Sequence, residues 1–307
     1  MNKLITLSLS IALIAGLVSC SKVNPNKTGT NPVFTTPIEP LNPSDPLYTV
    51  GRVPFSFTQK VVIEEITGEW CGACGGTGAP LLNQLIKNNP DRVYGVAIHG
   101  ANNEPFEITP AYDGFKTAVF APGGLSFPAA SINRRVSISA PDYDNTCGLD
   151  LADNWANQLS PASKKTATCG LALVADEEND NVKLDVYVGY NSPLNMATSV
   201  TVYLIEDDVP ESAPGAQAGG GGTAANPFMH QHLLRKTISL PAGDAIALTS
   251  AKEYYKKATY NFSIAGLYRK KDNLKIIALV NKTGASINET AVLNAQEVAL
   301  DEVKKWD

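Results

Sequence analysis

Apolar and polar positions follow two different rhythms along this chain, and the change between them falls near residue 160. Before it, strand and helix patterns alternate. Val61-Val62-Ile63, with Ile66 beyond, is a short apolar run rich in β-branched residues and predicts a buried strand. Leu81, Leu82, Leu85 and Ile86 then draw an apolar stripe at helical spacing. Residues 92–99 predict a second strand, which makes a β-α-β unit and a parallel pair. Tyr112, Phe115, Val119 and Phe120 predict a helix over 111–120, and residues 129–139 alternate as a strand. Leu149, Leu151, Trp155 and Leu159 predict a closing helix over 143–159, with Trp155 in the core. After it, short β-rich runs at 168–174, 182–190, 199–206, 230–240, 258–265, 274–281 and 291–298 are separated by turn residues. That spacing predicts an immunoglobulin-like sandwich.

The N-terminus reads as a targeting segment. Lys3 precedes an apolar stretch from Leu4 to Val18, too short to span a membrane comfortably. Its end, Leu17-Val18-Ser19-Cys20, resembles a bacterial lipobox, which implies removal of residues 1–19 and acylation of Cys20 as the lipid anchor. The other reading is an ordinary signal peptide with an incidental cysteine. Residues 20–47 turn to Pro, Asn, Thr and Ser, with Pro25, Pro32, Pro37, Pro40, Pro43 and Pro46 stiffening a tether. The expected organisation is a leader over 1–19, a tether over 20–47, a first domain over 48–160 and a second over 161–307. A net charge of −5 over 307 residues offers no basic face for nucleic acid.

The candidate chemistry lies where the first strand hands over to the first helix, at Thr67-Gly68-Glu69-Trp70-Cys71-Gly72-Ala73-Cys74. A thiol near a helix N-terminus is favoured as thiolate, and a second thiol one turn later can close a small-ring disulfide with it. That pair is the minimal equipment for thiol–disulfide exchange. The stretch from Val61 to Cys74 resembles thioredoxin, with Ala73 where thioredoxins carry proline. The resemblance implies that Cys71 attacks and Cys74 resolves. It places Glu65 where a buried acid assists proton transfer, and Trp70 beside the pair. It also makes Phe127-Pro128 the loop that faces the pair and contacts substrate. The glycines Gly72, Gly75, Gly76 and Gly78 argue the other way, because they weaken the helix and its dipole.

Other residues carry two readings each. His99, at the carboxyl end of the second strand, is either a proton shuttle or substrate contact, or a histidine capping a loop. His230 and His232 point to one face if their stretch is a strand, and a metal would need a third ligand, for which Asp207 and Asp208 are candidates. Two histidines on an exposed sheet face are more often structural, so no metal is assigned. Gly219-Gly220-Gly221-Gly222 lacks a following Lys-Ser/Thr and reads as a flexible loop. Cys147 and Cys169 are expected to form a structural disulfide near the junction of the two domains. Their spacing does not fit a second zinc knuckle. No cofactor is called for.

Together, the lipobox, the Trp-Cys-Gly-Ala-Cys stretch, the Glu206-Asp207-Asp208 run, the stretch from His230 to Arg235 and Val292-Leu293-Asn294-Ala295 resemble the 28-kDa outer membrane protein family of Gram-negative lipoproteins. The resemblance implies an α/β thioredoxin-like domain followed by an all-β immunoglobulin-like sandwich, with no established substrate. Two functions remain open. One is a membrane-anchored periplasmic thiol–disulfide oxidoreductase acting on protein thiols or disulfides. The other is a periplasmic or surface binding lipoprotein in which Cys71–Cys74 is a standing disulfide. The expected location is the outer membrane facing the periplasm, with the outer surface as the alternative.

Overall fold

The computed structural model describes residues 40–118, 127–134, 150–164, 166–190, 196–246, 255–284 and 290–306. Residues 1–39, and with them the leader, Cys20 and most of the tether, lie outside the described residues, as does Cys147. The compact unit is Leu41–Asp307.

Strand β1 (Val61–Thr67) is buried at every position, which explains an apolar run interrupted only by Glu64, Glu65 and Thr67. Strand β2 (Val93–His99) pairs parallel with it, Val61 opposite Val93 and Thr67 opposite His99. On the other side β3 (Ala129–Ile132) pairs antiparallel. The two-residue alternation sends Val61 and Ile63 to a core shared with Leu81, Leu82 and Leu85 of α1 (Ala79–Lys87) and Trp155 and Leu159 of α3 (Asp150–Ser163). Burying a side chain such as Ile63 completely contributes about 1.5–3 kcal/mol, so β1 anchors this region from both faces. The expected helix over 111–120 is α2 (Thr109–Ala118).

The seven expected runs form strands, the run at 230–240 broken into two, and three further short strands join them. They are β4 (Cys169–Glu178), β5 (Asn181–Tyr190), β6 (Thr198–Glu206), β7 (Val209–Pro210), β8 (Met229–His230), β9 (Leu233–Thr237), β10 (Asp244–Ile246), β11 (Tyr255–Ser263), β12 (Leu274–Lys282), β13 (Val292–Ala299) and β14 (Val303–Lys304). One sheet runs β11-β5-β4-β14. A second runs β13-β12-β6-β9-β2-β1-β3, with β10 also on β6, and β7 pairs with β8 in a small sheet of its own.

That second sheet corrects the expected fold class. An α/β thioredoxin-like domain followed by a separate immunoglobulin-like sandwich requires the early strands to form a sheet of their own, apart from the two sheets of the sandwich. Instead β9 lies parallel to β2, Leu233 opposite Ala97, and antiparallel to β6 on its other edge. Early and late strands therefore share one mixed, mostly β sheet. The core is shared too. Val62, Ile66, Tyr94 and Ile98 pack in the same cluster as Tyr203, Ile205, Leu234, Ile277 and Val292. Sequence periodicity reads each run alone and cannot register which strand lies next to which.

Buried polar groups cross the same boundary. Arg134, after β3, pairs with Glu64 at 2.9 Å with both side chains fully buried. Tyr203 on β6 donates to Glu64 at 2.7 Å and accepts from Arg134 at 2.6 Å. Asn294 on β13 accepts from the Lys60 N–H at 2.8 Å and donates to the Cys169 carbonyl at 2.8 Å. Every partner is satisfied, which is the condition under which buried charge is tolerated.

Candidate functional site

Cys71 and Cys74 are joined in a disulfide, with Cα atoms 5.2 Å apart. Cys74 opens a π-helical turn, Cys74–Gly78, that leads into α1. Such one-turn π segments recur at functional sites. The Cys74 N–H donates to Cys71 Sγ at 3.1 Å, and the N–H groups of Cys74 and Gly75 both point at the Cys71 carbonyl. On reduction, the same N–H is placed to favour thiolate at Cys71. Cys74 is fully buried and Cys71 is 6% exposed.

Glu65 lies against the Cys74–Gly78 turn. It shares a β1 face with Val61 and Ile63, under α1, and both of its carboxyl oxygens are buried without a hydrogen-bond partner. Burial raises its pKa from the ordinary 4.5 to about 8. Gly78 explains why it fits. A Cβ there would lie 2.7 Å from Glu65 Oε1 and 2.8 Å from two Pro128 carbons. The glycine that seemed to weaken the helix lets α1 close onto the carboxyl and Pro128 together. The Phe127–Pro128 peptide is cis. Phe127 stacks at 4.9 Å against Trp70, which is 41% exposed and donates its indole N–H to the Gly100 carbonyl.

A second buried cluster borders the turn. His99 Nδ1 lies 2.6 Å from Glu104 Oε1, and the other Glu104 oxygen accepts from the Glu69 N–H at 2.5 Å. The Glu69 carboxylate accepts from the Ser212 N–H at 2.7 Å and from the Ser212 hydroxyl, and meets His230 Nε2 at 3.2 Å. Those hydrogen bonds lower the Glu69 pKa against an opposing desolvation effect. His230 is lowered by desolvation. The His99 and His230 rings meet edge-on at 4.9 Å, with Phe106 against both.

The chain carries a family signature as well. The profile of the outer membrane protein Omp28 matches residues 121–304. The chain belongs to that family. The match begins beyond the Cys71–Cys74 turn and includes Glu211, Gln217, His230 and Asn294. Among solved structures, HBP35 of Porphyromonas gingivalis is similar, with 18% identity and a TM-score of 0.64. The alignment covers 81% of this chain and 78% of that one, and the likeness concerns the fold. No curated protein matches. Membership places the protein among outer membrane proteins, although no helix of the described residues is long and apolar enough to cross a membrane.

Glu65 and Pro128 thus meet at Gly78 of the turn that Cys74 opens, and Phe127 meets Trp70 beside Cys71, toward the carboxyl end of β1. His99 is buried beside them and reaches the turn through Glu104 rather than touching the sulfurs' surface. His230 and His232 do not share a face. His232 takes a left-handed φ of 56°, ending β8 before β9 begins, so His230 faces Glu69 while His232 lies 3.3 Å from Asp207. Cys169 is a buried free thiol whose pKa burial pushes to about 12, and its expected partner Cys147 lies outside the described residues. Sequence reasoning gave no role to Glu69, Glu104, Ser212 or Gln217. Only Glu69, beside Trp70, carried a local signal.

Proposed function

We propose that the protein is a membrane-anchored thiol–disulfide exchange protein of the cell envelope, with protein thiols or disulfides as substrates. Glu65 carries this reading. A buried carboxyl without partners costs stability, and its position beside Pro128 and α1 gives that cost a use. In the oxidised protein a substrate thiolate attacks Cys71 Sγ, and the bond to Cys74 breaks. Cys74 leaves as thiolate and takes the Glu65 proton. A second substrate thiolate then attacks the substrate sulfur of the mixed disulfide and releases Cys71 as thiolate, stabilised by the Cys74 N–H. The substrate has lost two electrons and the pair has gained them. The reverse sequence reduces a substrate disulfide. Trp70 and Phe127 form the ledge that contacts substrate, and Pro128 bounds the site. His99 acts as a positioning group through Glu104.

Cys20 supplies the lipid anchor in this reading, and the pair faces the periplasm. Mass spectrometry of the mature N-terminus should find an acylated Cys20, and an unmodified terminus elsewhere would remove the anchor. For exchange itself, Cys74→Ala should trap mixed disulfides with envelope proteins, because the resolving thiol is gone. The second reading, a binding protein with a standing disulfide, is supported by the burial of both sulfurs. A couple whose reduction potential lies out of reach of thiol substrates, with no trapped partner, would favour it.

A further inference from the structure

The glycine-rich segment after β7 is docked onto the Cys71–Cys74 turn. Gln217 is buried, and its side-chain amide donates to the carbonyls of Cys71 at 3.3 Å and Gly68 at 3.4 Å. The Ala218 N–H donates to the Glu69 carbonyl at 2.7 Å. The approach is backbone to backbone. A Cβ at Gly75 would run into Ala218 O and lie 2.7 Å from Gln217 Nε2, and a Cβ at Gly219 would run into the Gly72 carbonyl. Two carboxylates hold the segment in place. Glu211 accepts from the Gln217 N–H at 2.9 Å and the Phe228 N–H at 3.2 Å, while Glu69 holds Ser212.

We propose that Gln217–Gly220 is a built-in cover that occupies the main-chain acceptors a substrate would use and sets which thiols reach Cys71. The inference rests on the exchange reading above and deepens it. The covered acceptors, the Glu69 and Cys71 carbonyls, belong to the short segment that carries the reacting sulfur. A polypeptide substrate can replace the cover's hydrogen bonds with its own backbone N–H groups, which offsets the cost of lifting it. A small thiol brings no such replacement and meets the pair only when the cover opens by itself. The pair is therefore selective for cysteines within a polypeptide over free small thiols.

Two glycines separate the cover from mere loop strain. Gly219 and Gly221 both adopt left-handed φ, 71° and 70°, but only Gly219 touches the turn, since a Cβ at Gly221 meets nothing within 4 Å. The measurement is the rate at which a phosphine reductant opens Cys71–Cys74 in the full chain, with melting temperature recorded alongside. Gly219→Ala should accelerate reduction by about tenfold or more, because local opening sets the rate, whereas Gly221→Ala should stay near the wild-type rate. Acceleration in neither variant, or equal acceleration in both, overturns the cover. The reduction potential of the couple is read separately. A potential out of reach of thiol substrates argues against exchange, while the ratio of the two variants still decides the cover.

Discussion

Burying a carboxyl without partners favours its neutral form, and Glu65 is held in that condition against Gly78. Its pKa stands near 8 in the folded chain against an ordinary 4.5. The folded state therefore keeps a proton that the unfolded state releases across that interval. Stability is highest below 4.5 and falls as pH rises toward 8, by about 1.4 kcal/mol per pH unit from this group alone. Glu65→Gln should flatten that slope in melting curves recorded from pH 5 to 8.5, and should slow thiol exchange. An unchanged slope would mean that Glu65 finds a partner when ionised. The two sulfurs should also differ. After mild reduction Cys71 should alkylate faster than fully buried Cys74, as followed by mass spectrometry. Equal slow labelling would count against Cys71 as the reactive thiol.

At the scale of the element, the turn from Cys74 to Gly78 shows why its glycines are there. Gly78 faces Glu65 and Pro128, and Gly75 faces the Gln217–Gly220 segment, whereas Gly76 is exposed with nothing nearer than 3.6 Å. Gly78→Ala should cost about 1–3 kcal/mol through overpacking and impair exchange. Gly76→Ala should be neutral, or stabilising by up to about 1 kcal/mol, because alanine is the better helix former. Chemical denaturation of the two variants checks the contrast. Equal effects would mean that helix propensity, not contact, governs the turn. The break at His232 belongs to this scale as well. A left-handed residue between β8 and β9 turns one histidine to the site and the other to Asp207, which strand alternation alone could not foresee.

Across the whole molecule, the sheet that joins β2 to β9 and the core from Val62 to Val292 tie early and late strands together. Calorimetry should give a single unfolding transition for Leu41–Asp307, and two separated transitions would oppose the shared core. Arg134→Met should destabilise by about 3–5 kcal/mol, since it leaves Glu64 buried without its counter-charge. What the sequence determined by itself is local. The apolar runs marked β1, β2, α1 and most later strands because periodicity is a property of neighbours along the chain. The Cys-Gly-Ala-Cys spacing marked the disulfide pair for the same reason. Tertiary structure alone decided what those elements meet. Glu69, Ser212 and His230 lie far apart in sequence, and so do Arg134, Glu64 and Tyr203. Hydrogen-bond partners at such separations are chosen by which strands become neighbours, and that choice minimises the free energy of the whole chain at once.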